Sequence, residues 1–347
     1  MTDTPIPTRR LTAFARAVLH RAGLEQDKAA TVATVLVEAD LLGHTTHGLA
    51  LLPPYLKAAE DGGMAGAGEA DVVASGGAVE TWDGGKLPGP WLVTRAADAA
   101  SVRARALGVA AVSIRRSHHI ACLAAYLMPI VERGQLLMIA SSDPAVASVA
   151  PFGGTQPLFT PNPLAAGWPT RDGAVLIDVS MSVTTNGMTG RLRAAGEQFE
   201  HPWLLDAQGR ATRDPNALFS TPPGSILPLG GLEAGHKGFA LGLLIEALTS
   251  ALCGAGRADG PTGWGASVLV LVIDPAHFGG LDAFTRETGW LADQVAANVP
   301  ADPARPPRMP GARALALRAE QLQKGVSLHP AIPPALAEIS ARYGIVI

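Results

Sequence analysis

SVLVLVI, at residues 267–273, decides the fold, because it is an almost unbroken run of branched apolar residues. LLMIAS (136–141) and AVLIDVS (174–180) have the same character, and VAAVSI (109–114) is a shorter example. Continuous apolar runs of this length are typical of strands in a sheet that is covered on both faces. The sequence therefore predicts an α/β body built on at least these four strands.

Helical patterns lie between the strands and would cover the sheet. They are predicted from about Ala121 to Arg133, from near Gly238 onward, and from Leu281 to about Ala297. The stretch GAGRADG (254–260) is interpreted as a loop.

Both ends of the chain are also predicted to be helical. Leu11 to Ala22 forms a first helix, Asp27 caps a second that runs to Leu42, and a third begins near Pro53. Proline residues between 300 and 310 interrupt regular structure before two last helical segments. We divide the chain into a helical segment (1–75), an α/β body (76–299) and a C-terminal segment that packs back on the first helices (300–347).

Composition excludes several classes of protein. The 347 residues are 48% hydrophobic and carry a formal net charge of only -3, without a long basic run, so no nucleic-acid partner is expected. The longest apolar stretch, 238–254, is short and contains Glu246, so no membrane span is expected. No secretory signal follows MTDTPIPTRR, and two cysteines do not make a disulfide framework, so a cytoplasmic location is expected.

Phosphate-binding glycine loops of the usual kinds are missing from the sequence. Neither GxGxxG between a strand and a helix nor GxxxxGK[ST] occurs. A nicotinamide dinucleotide, if bound, would therefore not use the standard dinucleotide-binding fold.

Two histidine groups are candidates for chemistry: GHTTHG (43–48) and RSHHIA (116–121). A neutral histidine at the edge of a cavity can exchange the proton of a carbinol, because its pKa lies near the working pH. On spacing alone, His44 and His47 are more often surface or capping residues. A zinc site is not predicted, because HExxH is missing and no cysteine lies close in sequence to either group.

Lys237 lies between glycines at the predicted start of the long apolar helix. Free N–H groups and a positive dipole at a helix N-terminus, with an adjacent lysine, would suit a pyrophosphate or ribose phosphate. The alternative is an ordinary solvent-exposed lysine.

Taken in order along the chain, several motifs resemble the malate/L-lactate dehydrogenase family, of the type that includes ureidoglycolate dehydrogenase, sulfolactate dehydrogenase, diketogulonate reductase and piperideine-carboxylate reductase. The likeness runs from about Leu11 to Arg318. The stretches that carry it are EADLLGHTTHGLALLPPYL, RRSHHIACLAAY, SSDPAVASVAPFGG, PNPLAAGWPT, LIDVSMSV, HKGFALGLLIEAL and RMPGAR.

This resemblance implies a three-layer α/β/α fold around a mixed sheet, not a Rossmann domain, with helical segments from both termini and a homodimeric assembly. It implies NAD or NADP as cofactor, and His47 or His119 as the acid/base. The cofactor contacts that it implies are Ser142, Asn162, Asp178, Ser180, Lys237, Gly238, Pro310 and Gly311.

Departures from the family pattern concern mainly residues that are expected to lie near the substrate. Thr46 replaces a serine and keeps its hydroxyl, whereas Leu51 stands where the family has an arginine for the substrate carboxylate. An isobutyl group cannot replace that bidentate clamp. Arg116, where many members have a neutral residue, is the candidate substitute, with a solvent-pointing side chain as the alternative. Other departures are Ala121 for Gly, Met188 for a basic residue and Pro161 for Thr.

The sequence thus predicts an NAD(P)-dependent oxidoreductase that transfers a hydride between nicotinamide and a small 2-oxo or 2-hydroxy acid. Reduction of a cyclic or N-substituted imino acid is the nearest alternative. A catalytically silent metabolite-binding or scaffold homologue is the alternative from another class.

Overall fold

The computed structural model describes residues 5–347, and its centre is a mixed seven-stranded sheet. The sheet strands are β1 (Asp71–Gly76), β2 (Val79–Asp83), β3 (Val109–Ser117), β4 (Leu136–Ser142), β5 (Leu164–Thr170), β6 (Gly173–Val179) and β10 (Ala266–Ile273). A small second sheet contains β7 (Leu204–Leu205), β8 (Ala211–Thr212) and β9 (Ser225–Ile226). The helices are α1 (Thr8–Arg21), α2 (Gln26–Leu41), α3 (Leu52–Glu60), α4 (Gly89–Leu107), α5 (Leu127–Val131), α6 (Asn186–Ala195), α7 (Gly231–Glu246), α8 (Leu281–Ala296), α9 (Ala312–Lys324) and α10 (Ile332–Tyr343).

The strand order in the large sheet is β1-β2-β3-β10-β4-β5-β6, with β10 in the middle. Only β2 and β3, joined through α4, run parallel; the other pairs are antiparallel. Strand β10 contains the SVLVLVI run, and its central place in the sheet explains why that run is apolar throughout. The chain order of the strands says nothing of this arrangement.

Alternate residues of β10 face two different layers, which confirms the three-layer expectation. Val268, Val270 and Val272 join the main core with α2 and α4, whereas Leu269 packs with Ile245 of α7 on the opposite face. A sheet that is covered on both sides by helices has no polar face, as its sequence predicted.

The two ends of the chain meet, since α9 contacts α2 and α10 contacts α1 and α3. Ile6 forms a β-bridge with Val326, and Gln321 of α9 donates two hydrogen bonds to the last carbonyls of α2. The N-terminal helices also share one continuous apolar core with the sheet. The division at residues 75 and 299 stays a prediction.

Several local predictions were wrong. The apolar helix begins at Gly231, not near Gly238. Asp27 does not cap α2; its carboxylate accepts a hydrogen bond from the Trp91 indole instead. The helix expected over 121–133 is a 3-10 turn followed by the five-residue α5. Residues 5–347 contain no helix whose length and apolar character would let it span a bilayer.

Candidate active site

A cavity of about 580 Å³ opens where the loop after α2 meets one edge of the sheet. The carboxyl ends of β4 and β6, the segment after β3 and the amino end of β10 form one side of it. The start of α6 forms another. Both predicted catalytic histidines, His47 and His119, line this cavity, so the structure brings the two histidine groups together. Their rings are 6.1 Å apart between centroids and nearly parallel, at 26°.

Asp40 holds the loop that carries His47 through a hydrogen bond to its backbone. Helix α2 ends at Leu41, and Gly43, with φ at +84°, lets the chain turn away from it. The Leu49 N–H then donates to Asp40 Oδ2 at 2.7 Å. Gly48 lies so close that a Cβ there would stand 2.4 Å from the Asp40 carboxyl carbon. Sequence reasoning missed Asp40.

The surroundings of His47 favour its neutral form. Burial lowers its pKa below the usual value, while the negative charge of Asp178 opposes this shift. Its Nδ1 lies 2.8 Å from the Thr46 hydroxyl, so the predicted substrate residue Thr46 contacts the histidine ring directly. A neutral imidazole beside a hydroxyl and near a carboxylate can hold or release one proton.

His119 is enclosed more tightly than His47. Its ring stacks on Trp264 with 4.4 Å between centroids, and Tyr55 Oη lies 2.9 Å from Nδ1. Burial lowers the pKa of His119 well below its usual value. Tyr55 and Trp264 were missed, because each reaches His119 from a distant part of the sequence.

Asp178 lies between the main cavity and a second one of about 650 Å³, and both cavities include His44. Pro310 and Gly311 line the second cavity with the guanidinium-bearing residues Arg308 and Arg313. At Gly311, where φ is +81°, a Cβ would lie 2.7 Å from the Leu176 Cβ, so only glycine fits the turn. Three predicted cofactor residues thus lie beside the main cavity. The two arginines were missed.

Ser142 and Asn162 belong to one polar network behind the cavity wall. Ser142 Oγ donates to Glu246 at 2.7 Å, and Asn162 Nδ2 donates to the same carboxylate at 3.0 Å. Arg257, in the segment interpreted as a loop, donates to Glu246, Ser142 Oγ and the carbonyls of Asp143 and Val146. Ser142 lines the cavity, whereas Asn162 is fully buried and does not.

Ser180 lines the cavity wall, and its hydroxyl donates to the Ser182 carbonyl at 3.0 Å.

The predicted cofactor residues Lys237 and Gly238 do not reach either cavity. Because α7 begins at Gly231, Lys237 is an exposed residue of its second turn, and the argument from a helix N-terminus was wrong. Gly238 is buried for packing, since a Cβ there would stand 2.3 Å from the Leu229 carbonyl oxygen.

Arg116, the predicted substitute for the missing arginine, does not line the cavity either. Its Nε donates to Asp83 Oδ1 at 2.8 Å, and its side chain is 62% exposed outside the cavity. The structure supports the solvent-pointing alternative.

Leu51 and Met188 both line the cavity, next to the aromatic rings of Trp203 and Trp264. Within the described part of the chain, no lysine or arginine lines it, and its ionisable carboxylates are Asp143 and Asp178. The cavity wall therefore carries hydroxyl groups and carboxylates beside its histidines, but no lysine or arginine.

One group of side chains in residues 5–347 has ligand atoms close enough for a metal ion: His44, Cys122 and Asp178, all within 4.8 Å of one another. It is not the group that the histidine spacing offered. Burial raises the pKa of the Cys122 thiol well above its usual value, and Sγ donates to Asp178.

A mixed sheet of non-Rossmann order carries paired histidines in one cavity, beside a turn with two arginines, an arrangement suited to a dehydrogenase that binds its nicotinamide cofactor without a glycine loop. A sequence model of the malate/L-lactate dehydrogenase family matches residues 6–337. The chain belongs to the malate/L-lactate dehydrogenase family and is an NAD(P)-dependent oxidoreductase.

Individual relatives agree with this assignment. The chain is similar to a (2R)-3-sulfolactate dehydrogenase (NADP(+)) of Chromohalobacter salexigens, with 32% identity over 98% of each chain. It shares its fold with a malate dehydrogenase of Entamoeba histolytica, at a TM-score of 0.93, 20% identity and 99% coverage of both chains. A delta1-piperideine-2-carboxylate reductase of Pseudomonas syringae is also similar, at a TM-score of 0.85, 26% identity and coverage of 97% of this chain and 99% of the other.

Proposed function

We propose that the protein transfers a hydride between the nicotinamide of NAD or NADP and a small 2-oxo or 2-hydroxy acid that binds against His47 and His119. The observation that carries this proposal is the pair of nearly parallel imidazoles, 6.1 Å apart, on the wall of one cavity. A carbonyl placed there can receive a proton on oxygen while hydride reaches its carbon.

The residues of this chain fit a dinucleotide at the second cavity. Arg308 and Arg313 supply positive charge, and Gly311 lets backbone approach closely. Asp178 lines both this cavity and the one that holds the histidines, and Ser180 lines the latter. The cofactor, when bound, supplies or removes the hydride.

His47 moves the proton in this proposal. It gives a proton to the carbonyl oxygen in reduction and takes it back in oxidation, with the Thr46 hydroxyl on Nδ1. The carboxylate of Asp178 favours the protonated form, and the enclosed ring of His119 directs the substrate oxygen.

A second substrate class, a cyclic or N-substituted imino acid, is favoured by one observation. The charged side chains in the cavity are carboxylates, and an iminium nitrogen is cationic. An assay of NADH and NADPH oxidation with a panel of 2-oxo acids and cyclic imino acids separates the two candidates. Oxidation of neither cofactor with any member of the panel would contradict the proposed function.

Leu51→Arg tests whether position 51 contacts the carboxylate of the substrate. Leu51 lines the cavity at the position where the family resemblance implies an arginine. We expect the variant to raise kcat/KM for simple 2-oxo acids roughly tenfold or more, because a charge-assisted hydrogen bond to a carboxylate contributes about 1.5–3 kcal/mol. Leu51→Met is the matched control, since it keeps volume and adds no charge. Unchanged rates in both variants would show that position 51 does not contact substrate.

The protein is further proposed to be a homodimer that buries the outer face of α7. Four leucines of α7 are exposed in the single chain, namely Leu232, Leu241, Leu243 and Leu244. An exposed apolar patch of this kind marks an interface.

Leu244→Glu is expected to shift the protein from dimer to monomer, as measured by sedimentation velocity. The introduced carboxylate would be desolvated at the interface without a partner. Val102→Glu, at an isolated exposed valine on α4, is the control and should leave the mass unchanged. A wild-type protein that sediments as a monomer would overturn the dimer.

A cytoplasmic location is proposed as well. Cys122 and Cys253 are both unpaired and buried, which fits a reducing compartment. Cell fractionation with an antibody to the chain tests it.

A further inference from the structure

Three contacts surround His119: two reach its Nδ1 atom and one reaches its backbone carbonyl oxygen. Tyr55 Oη lies 2.9 Å from Nδ1 and 2.9 Å from the carbonyl oxygen of the same residue. The backbone N–H of Ala121 points at Nδ1 with N and Nδ1 3.3 Å apart. Tyr55 is fully buried, so no solvent competes for its hydroxyl.

Taken together, these contacts favour one placement of the ring proton. A backbone N–H can only donate, so the nitrogen that it faces must accept. Nδ1 is therefore unprotonated, and the proton of the neutral ring is on Nε2. The Tyr55 hydroxyl then shares its one proton between two acceptors, Nδ1 and the carbonyl oxygen. The opposite tautomer would set two N–H groups against each other.

Resting on the proposed function, we propose that Tyr55 and the Ala121 N–H fix His119 as the Nε2–H tautomer, which donates a hydrogen bond to the substrate oxygen and takes no part in proton transfer. Tyr55 is thus a positioning residue, and the acid/base role belongs to His47.

The remaining surroundings of His119 agree with a permanent donor. Among residues 5–347 no protein group bonds Nε2, whereas the ring lines the cavity, so the Nε2 edge is the one left for substrate. Trp264 stacks on the His119 ring, and His118 packs edge-on against Trp264. This burial disfavours the charged imidazolium, and the pKa of His119 is lowered well below its usual value. A neutral N–H donor in such a site stabilises developing negative charge on oxygen.

The tautomer can be read from the free protein, without substrate or cofactor. In ¹⁵N-histidine-labelled enzyme, with His119 assigned by comparison with His119→Gln, we expect Nδ1 to show the shift of an unprotonated nitrogen and Nε2 that of a protonated one. The pattern should persist from about pH 6 to about pH 9, whereas an ordinary histidine is largely protonated at the acidic end of this range. A protonated Nδ1, or an imidazolium in this range, would overturn the proposal. Because no turnover is involved, that result is independent of whether the proposed substrate is right.

Tyr55→Phe tests the positioning role. It keeps the aromatic ring and removes the short hydrogen bond to Nδ1, leaving only the longer Ala121 N–H contact at 3.3 Å, so the Nδ1–H tautomer should become populated in the same spectrum. We expect kcat to fall on the order of tenfold with cofactor affinity unchanged, because the donor is misdirected.

Tyr126→Phe is the matched control for Tyr55→Phe. It is also a buried tyrosine, and its hydroxyl donates to the Ile120 carbonyl, one residue from His119. It should lose similar stability while leaving the His119 tautomer intact. Equal tautomer shifts in the two variants, or no shift in Tyr55→Phe, would contradict the assignment.

Discussion

His47→Gln is expected to lower kcat by on the order of a hundredfold to ten-thousandfold, which is the usual effect of removing a general acid/base. Glutamine keeps a polar group in the loop after α2 but cannot hold and release a proton. Single-turnover oxidation of saturating NADPH or NADH measures the effect on the chemical step. Cofactor affinity should be retained, because Arg308, Pro310 and Gly311 lie in the second cavity.

The comparison with His119→Gln decides which histidine transfers the proton. A glutamine amide can still donate a hydrogen bond to the substrate oxygen, so a smaller loss is expected for His119 than for His47. If His119→Gln is the more damaging change while cofactor still binds, the two roles must be exchanged. Near-full activity in both variants would remove this cavity as the active site.

The pH dependence of the wild-type enzyme offers a second view of His47. Burial lowers its pKa, so the protonated form that reduction requires is gained as pH falls. The rate of reduction at saturation should therefore rise toward acidic pH and fall toward alkaline pH. The reverse reaction needs the neutral form and should show the opposite slope.

The central strands could be predicted from sequence because burial on both faces leaves an unbroken apolar run. β1 was missed because all its residues are exposed at the edge of the sheet, where no burial constrains the pattern. α4 was missed because its core face consists largely of alanines, such as Ala96, Ala100 and Ala104, which contrast little with their neighbours. A local sequence pattern predicts an element only when its buried and exposed residues differ clearly in hydrophobicity, and in β1 and α4 they do not.

The start of α7 shows a different failure. Glycines at 231, 235 and 238 are typical of a loop, yet Gly235 and Gly238 lie against Phe152 and Leu229 with no room for a Cβ. Tertiary packing therefore outweighs helix propensity here. The same error gave Lys237 a helix N-terminus that it does not have.

In the site, local spacing found the two histidine groups but not their supports. Tyr55 is 64 residues from His119 in sequence, and Asp83 is 33 residues from Arg116, so neither contact leaves a trace in spacing. Arg116 was interpreted as a substrate residue because it is near His119 in sequence. Its side chain instead pairs with Asp83, at the end of the neighbouring strand β2.

Asp40→Asn is expected to stabilise the folded protein at alkaline pH and to have little effect at acidic pH. Burial raises the pKa of Asp40 to about 7, against the opposing effects of the Leu49 N–H and the Arg191 charge. Its Oδ1 is buried without a hydrogen-bond partner among the described residues. Burying an ionised carboxylate in this position costs more than burying a neutral amide.

The sign follows from proton binding. In the unfolded chain Asp40 titrates near its ordinary value of 3.8, so between that pH and about 7 the folded state holds a proton that the unfolded state has lost. Stability must then fall as pH rises through this interval. Above it the full penalty applies, which is on the order of 4 kcal/mol for a shift of this size.

Urea unfolding of wild type and Asp40→Asn at about pH 5 and about pH 8 measures this difference. The variant should gain most at the higher pH and keep near wild-type activity, because the asparagine oxygen can still accept from the Leu49 N–H that holds the His47 loop. Asp40→Ala is the matched control: it removes that acceptor, so it should lose activity and leave the loop without its support at both pH values. A stability difference between wild type and Asp40→Asn that is the same at both pH values would mean that Asp40 is ionised in the folded protein throughout, and that Arg191, whose guanidinium donates to Thr45, compensates its charge.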